Sequence, residues 1–194
     1  MKGQQRRALF IDRDGTISEE IGYVNHPSRY KVFPYAAEAI RMLNERDWLA
    51  ILVTNQAGVA RGYFTEDLIG AVHNLLNEEL AENGARLDAI YYCAHHSSVG
   101  VAPYRMNCDC RKPKPGLIHR AADEYNIDLT RSWMVGDRYS DIELARNAGV
   151  RSAFVLSGYG RGEWEYQRRA WQYEPDLIAE NLLEVVKAVT SDKS

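Results

Sequence analysis

The chain has 194 residues, 45% of them hydrophobic and 26% charged, and a formal net charge of -3 at pH 7. That is enough apolar material for one sizeable core, so a single domain over 1–194 is expected. The charge lacks the basic excess with which proteins usually hold nucleic acid or anionic membranes across a whole surface, so any phosphate recognition has to be local.

The basic segment 1–7 is followed by Ala8-Leu9-Phe10-Ile11 and then Asp12, too short an apolar run for a secretion signal. No other run is long enough to span a bilayer, and a cytoplasmic protein without a membrane partner is expected. Residues 8–11 read as a short buried strand. From Pro34, a residue suited to a first helical turn, Ala36, Ala39, Ile40 and Leu43 recur at helical spacing.

Residues 49–53 form a continuous apolar run ending in Thr54-Asn55-Gln56. Thr65 is then a plausible N-cap for a helix burying Leu68, Val72, Leu75 and Leu76. A third strand is predicted over 89–93, a helix over 115–125, a strand over 133–135 and a helix over 141–148 stopped by Gly149. A strand over 151–156 and an amphipathic helix over 175–189, with Leu182, Val185, Val186 and Val189 inward, complete the series. Apolar strands alternating with helices imply a doubly wound, mostly parallel α/β sheet. In such sheets the binding crevice lies beyond the carboxyl ends of the strands, where Asp12, Thr54, His95 and Asp137 fall.

Asp12 and Asp14 form a D-x-D pair at a strand end, with Gly15-Thr16 allowing the chain to turn. Alone this is also what an Asp- and Gly-rich turn looks like. Thr54 adds a hydroxyl, Lys112 a cation, and Asp137 and Asp141 a second carboxylate pair.

The three cysteines, Cys93, Cys108 and Cys110, cluster with His95. An odd number of clustered thiols argues against a disulfide framework, whereas three thiolates and an imidazole suit a closed, structural zinc site. Cys93 and His95 share a face of an extended segment, which favours His95 over His96 as ligand. Zinc would pin a loop with little hydrophobic patterning of its own and fix Arg111 and Lys112, which follow Cys110 directly.

Taken in order, D-R-D-G-T, V-T-N-Q, R-K-P-K-P and G-D-R-Y-S-D resemble the four motifs of the haloacid dehalogenase superfamily of phosphohydrolases. The resemblance implies a haloacid dehalogenase-like Rossmannoid fold and a magnesium-dependent phosphatase. Asp12 would be the nucleophile and a metal ligand. Asp14 would be the general acid and base, its main-chain carbonyl a further ligand. Thr54 and Lys112 would hold the phosphoryl oxygens, and Asp137 would ligate magnesium with Asp141 behind it.

Only residues 17–33 and the zinc loop occupy the places where relatives carry a cap domain, so an open, loop-gated site without a large cap is expected. C-x-H with C-x-C-R-K-P is similar to the zinc-containing branch acting on histidinol phosphate and on heptose bisphosphate. The segments G-Y-V-N-H-P, T-N-Q-A-G-V-A-R-G-Y-F-T and Y-Y-C-A-H-H favour the heptose side. Ala57, Ala94 and Ser97 depart from the usual residues of that branch.

A small phosphorylated sugar is then the expected substrate and a monomer the expected state. Arg61, Arg111 and Arg138 are candidates for the phosphate that is not cleaved, and Asn55 and Gln56 either bond sugar hydroxyls or simply end the strand. Histidinol phosphate is the alternative substrate. A non-catalytic zinc-stabilised module and a zinc-finger-like nucleic-acid binder are the readings from other classes.

Overall fold

Strand β1 (Arg7–Ile11) is apolar on both faces because it lies inside the sheet of this computed structural model, which describes residues 4–191. Residues 1–3 of the basic leading segment and 192–194 of the expected domain lie outside the described residues. Six strands run in the order β3-β2-β1-β4-β5-β6, all parallel: β2 (Trp48–Asn55), β3 (Ala89–Cys93), β4 (Trp133–Gly136), β5 (Arg151–Val155) and β6 (Leu177–Ala179). The period of two along each strand divides the core. Leu9, Ile11, Ala50 and Leu52 face α1 (Ala36–Asn44), α2 (Glu66–Glu82) and α6 (Leu182–Ser191). Ala8, Phe10, Leu49 and Ile51 face α3 (Gly116–Tyr125) and α4 (Tyr139–Ala148). The doubly wound parallel fold is therefore as expected, and no cap domain stands among the described residues.

Several elements depart from expectation. Pro34 precedes α1 rather than opening it, and Tyr35 is the N-cap. Thr65 is the N-cap of α2 but makes no capping bond with its side chain, and Leu68 and Leu75 are only half-buried, with Ile69 and Leu80 filling the core instead.

The predicted helix over 175–189 is two elements. Asp176 Oδ2 accepts from both the main chain and the hydroxyl of Ser152, at 2.8 Å each, which pins 177–179 alongside β5 as a short edge strand. Asn181 Oδ1 then accepts the Glu184 N–H at 3.1 Å, and α6 starts only at Leu182. A further helix, α5 (Gly160–Tyr166), was not expected; its two glycines give no helical signal.

The strand order reverses at β1: the chain winds outward through β2 and β3, then returns to lay β4 on the other side. The crevice beyond the β1 and β4 ends is the topological switch point.

Candidate active site

Asp12 follows β1, Thr54 is the penultimate residue of β2 and Asp137 follows β4, so three strand ends converge on the switch point. Asp12, Thr54 and Lys112 line a cavity of about 440 Å³, together with Asp14, Glu20, Tyr23, Arg111, Arg138 and Tyr159 among others. Asp137 lies under its wall, fully buried. Two glycines let the chain wrap it. Gly15 (φ +82°) and Gly158 (φ +56°) are both in the left-handed region, and a Cβ on either would fall 2.1 or 2.2 Å from Asp137 Oδ2.

Lys112 is the electrostatic centre. Its Nζ is 2.7 Å from Asp12 Oδ1 and 2.8 Å from Asp141 Oδ1, and donates to Val53 O at 3.3 Å. Burial alone would push this ammonium down; Asp12 and Asp141 outweigh it and hold the lysine raised and charged. One ammonium does not balance three buried carboxylates. Burial, opposed by Lys112 and reinforced by Asp141, pushes Asp12 up to about 6. Burial, then Asp12 and Asp141, pushes Asp137 up to about 8.

A divalent cation fits this excess of negative charge. Oxygens of Asp12, Asp137 and Asp141 lie within 4.8 Å of one another, and Asp137 Oδ1 is buried without a hydrogen-bond partner among the described residues while its Oδ2 accepts the Tyr159 N–H at 2.8 Å. A hard, all-oxygen donor set of this kind suits magnesium. Asp141 also helps cap the start of α4, accepting the Arg138 N–H at 3.2 Å on its second oxygen.

Around this centre the hydrogen bonds are specific. Arg13 donates its main-chain N–H to Asp12 Oδ1 at 2.7 Å, and its guanidinium grips Asp14. Gln56 Nε2 donates to Asp14 Oδ2 at 2.9 Å and to Thr54 Oγ1 at 3.0 Å. Asn55 is used on both sides of its amide by the Lys112 main chain, at 3.2 and 3.1 Å, which fastens the end of β2 to the loop carrying the lysine. These bonds give Gln56 and Asn55 a structural occupation besides lining the cavity.

The thiol cluster sits beyond the end of β3. Cys93 Sγ is 3.6 Å from Cys108 Sγ and 3.2 Å from Cys110 Sγ, while His95 Nδ1 is 3.3 Å from Cys110 Sγ and 3.8 Å from Cys93 Sγ. All three cysteines are free. A zinc ion with sulfurs at about 2.3 Å would separate them by roughly 3.7 Å, so the donor set fits a tetrahedral site. His96 points elsewhere, its Nδ1 accepting the Ser98 and Val99 N–H groups.

The three candidate arginines part company. Arg111 lines the cavity and donates to His95 O at 3.1 Å, tying it to the thiol loop. Arg138 also lines the cavity; Glu163 holds its Nε at 3.0 Å, and its guanidinium lies 4.6 Å over the Tyr159 ring. Arg61 is exposed outside the cavity lining, its Nη2 3.4 Å from His96 Nε2. Sequence reasoning passed over Arg13, Glu20, Tyr159 and Glu163. Arg13 alone had a signal, a cation inside D-R-D; the others depend on how distant segments pack.

A family model described as HAD-hyrolase-like matches residues 109–185. The chain is 38% identical over 186 residues to a D-glycero-beta-D-manno-heptose-1,7-bisphosphate 7-phosphatase of Pasteurella multocida (strain Pm70), covering 96% of this chain and all of that one. It is 43% identical over 149 residues to the protein of the same description from Vibrio cholerae serotype O1, covering 77% of this chain and 80% of that one. Among solved structures it is similar to a D,D-heptose 1,7-bisphosphate phosphatase from B. bronchiseptica complexed with magnesium and phosphate. That match has a TM-score of 0.84 and 31% identity, over 95% of this chain and 98% of that chain.

Proposed function

Because the chain belongs to the haloacid dehalogenase-like hydrolases and, within them, to the family of heptose-1,7-bisphosphate 7-phosphatases, we propose that it removes the 7-phosphate of D-glycero-D-manno-heptose 1,7-bisphosphate through an aspartyl-phosphate on Asp12. The observation that carries this reading is Asp12 held on the floor of the cavity with Lys112 2.7 Å away.

The Asp12 oxygen that takes both the Lys112 and the Arg13 contacts is anchored, leaving the other for the bond to phosphorus. Lys112, Thr54 and the neighbouring N–H groups are donors for oxygens on which charge builds as the phosphoryl group moves. Magnesium, held by Asp12, Asp137 and the Asp14 carbonyl, would withdraw charge from those same oxygens. Asp14, a cavity-lining carboxyl, gives its proton to the departing sugar oxygen and then accepts one from the water that opens the acyl phosphate.

Arg111 and Arg138 supply positive charge for the phosphate that stays behind, and Glu20 and Tyr23 line the space left for the sugar. Zinc on Cys93, His95, Cys108 and Cys110 is structural in this reading, the whole chain 1–194 acts as one domain, and it works as a monomer. The heptose substrate is preferred over histidinol phosphate because the matched relatives bear the heptose bisphosphate description.

The test is phosphate release from both anomers of the heptose bisphosphate and from histidinol phosphate. The highest kcat/KM is expected with a heptose bisphosphate, and Asp12→Asn should lower kcat by on the order of 10⁴ or more while the fold persists. Best turnover of histidinol phosphate would reject the substrate; persistent activity of Asp12→Asn would reject the nucleophile.

A further inference from the structure

Arg13 sits between the two aspartates of D-R-D, yet its side chain is almost completely buried, at 3% exposure. Burying a guanidinium is costly unless its donors are used. Here Nε lies 3.1 Å from Asp14 Oδ1 and 3.2 Å from Oδ2, and Nη2 lies 2.9 Å from Oδ2. On the far side, Nη1 is 3.4 Å from Nε2 of His73 in α2, and the guanidinium lies 5.6 Å from the centre of the Tyr30 ring. Burial, and then Arg13 itself, pushes His73 down to about 4, so its ring is neutral and Nε2 can accept. Asp14 is the only carboxylate within ion-pair reach of Arg13 among the described residues.

The consequence for Asp14 is an asymmetry between its oxygens. Oδ2 takes Arg13 Nε, Arg13 Nη2 and Gln56 Nε2, whereas Oδ1 takes Arg13 Nε alone. A proton on Oδ2 would displace a strong donor; a proton on Oδ1 displaces little.

From this geometry we propose that Arg13, backed by His73, is a positioning residue that fixes the Asp14 carboxyl so that Oδ1 carries the proton delivered to the leaving group. The inference rests on the reading of Asp14 as proton donor. As an Asp12 oxygen bonds to phosphorus, the bond from phosphorus to the sugar oxygen breaks. The electron pair left on that oxygen takes the proton from Asp14 Oδ1, and Asp14 is left ionised. The guanidinium then faces a full carboxylate, so its attraction grows as the proton leaves, in the transition state more than before it.

Leaving groups distinguish this role from plain structural support. A sugar alkoxide is a poor leaving group and needs the proton; p-nitrophenolate departs without it. The measurement is kcat/KM, which reports the steps through leaving-group departure, for the heptose bisphosphate and for p-nitrophenyl phosphate. Arg13→Lys keeps the charge but loses the fork. It should lower kcat/KM about 30- to 100-fold with the sugar ester, within the range that general acid catalysis supplies, and less than about threefold with the aryl ester. Equal losses on both esters, or no loss, overturn the proposal.

If Arg13→Lys does not fold by circular dichroism, the His73 variants decide. His73→Leu removes the acceptor and should show the same leaving-group dependence at roughly fivefold, and His73→Gln, which keeps an acceptor, should restore it. Equal losses with His73→Leu overturn the proposal too. Asp14→Asn separates the two levels of the argument. If it affects both esters alike, the reading of Asp14 as acid fails and takes the inference with it; if it is selective for the sugar ester while the Arg13 and His73 variants are not, only the inference fails.

Discussion

The two clusters of candidate metal ligands at this edge of the sheet are assembled in opposite ways. Asp12, Asp137 and Asp141 come from the ends of β1 and β4 and from α4, segments far apart in the chain that the apolar strands bring together. Cys93, His95, Cys108 and Cys110 all lie within 93–110, where Cys93 and Cys108 join the core beside Leu117 and Ile118, Ala94 packs in a small satellite cluster with Val59 and Ile69, and Val101 and Met106 stay exposed. At the carboxylates the fold imposes the ligands on one another at an electrostatic cost. At the thiols Cys93 and Cys108 are anchored in the core, but the loop between them adds little burial, and in the proposed reading a metal supplies its order.

Removing one thiol of the Cys/His cluster should have the largest effect. Cys108→Ser should release zinc and loosen 94–110, and because Arg111 is tied to His95 O and Lys112 follows it, the damage should reach the phosphate site. Loss of a contact that merely supports a metal ligand costs about 10- to 100-fold in affinity or activity, so kcat/KM should fall by at least that much. Hydrogen exchange should rise in the loop while β1, β2 and β4 keep their protection. Full activity in a zinc-free Cys108→Ser protein would show that the loop holds itself.

A smaller effect should appear at the carboxylates as pH changes. The raised groups at Asp12 and Asp137 hold protons in the folded, metal-free state at pH values where the unfolded chain has lost them. The folded state therefore binds more protons between roughly pH 4 and pH 8, and stability of the magnesium-free protein should fall as pH rises through that window. A cation needs the ionised forms, so magnesium should raise the Tm most near pH 8 and above, progressively less as pH falls below 8, and more steeply still below 6. Thermal melts with and without magnesium at several pH values measure this directly, and a magnesium shift independent of pH would mean that Asp12 and Asp137 are not its ligands.

How much of this could be read from the sequence follows the same division. Strands β1 to β5 were legible because each is a short apolar run between turn signals, and the carboxylates were legible because they sit where those runs end. His95 could be separated from His96 by the alternation of an extended segment, and the two side chains do point apart. Other features depend on contacts between distant residues that leave no local trace. Glu163, in a helix with two glycines, accepts the Tyr139 N–H at 2.7 Å and fixes Arg138, while Asp176 turns an apparent helix into an edge strand by bonding Ser152. The dual grip of Lys112 on Asp12 and Asp141 is of this kind too: D-x-x-x-D spacing shows that Asp137 and Asp141 are near each other, not which of them a lysine from another segment will reach.

The turn that carries Arg61 packs on the thiol loop rather than on the carboxylate site. Gly100 (φ +86°) brings that loop so close that a Cβ there would lie 2.0 Å from Ala60 O, and Arg61 itself reaches His96. Among the three arginines that the sequence offers for the uncleaved phosphate, Arg111 and Arg138 face the cavity and Arg61 does not. Exposed side chains away from a site change free energies by less than about 0.5 kcal/mol, so Arg61→Ala should leave KM for the bisphosphate within about twofold, whereas Arg111→Ala should raise it about tenfold or more. A tenfold rise in KM on Arg61→Ala would mean that the turn at 57–62 swings over the bound sugar, and that the thiol loop it rests on shapes the substrate as well as the cations beneath it.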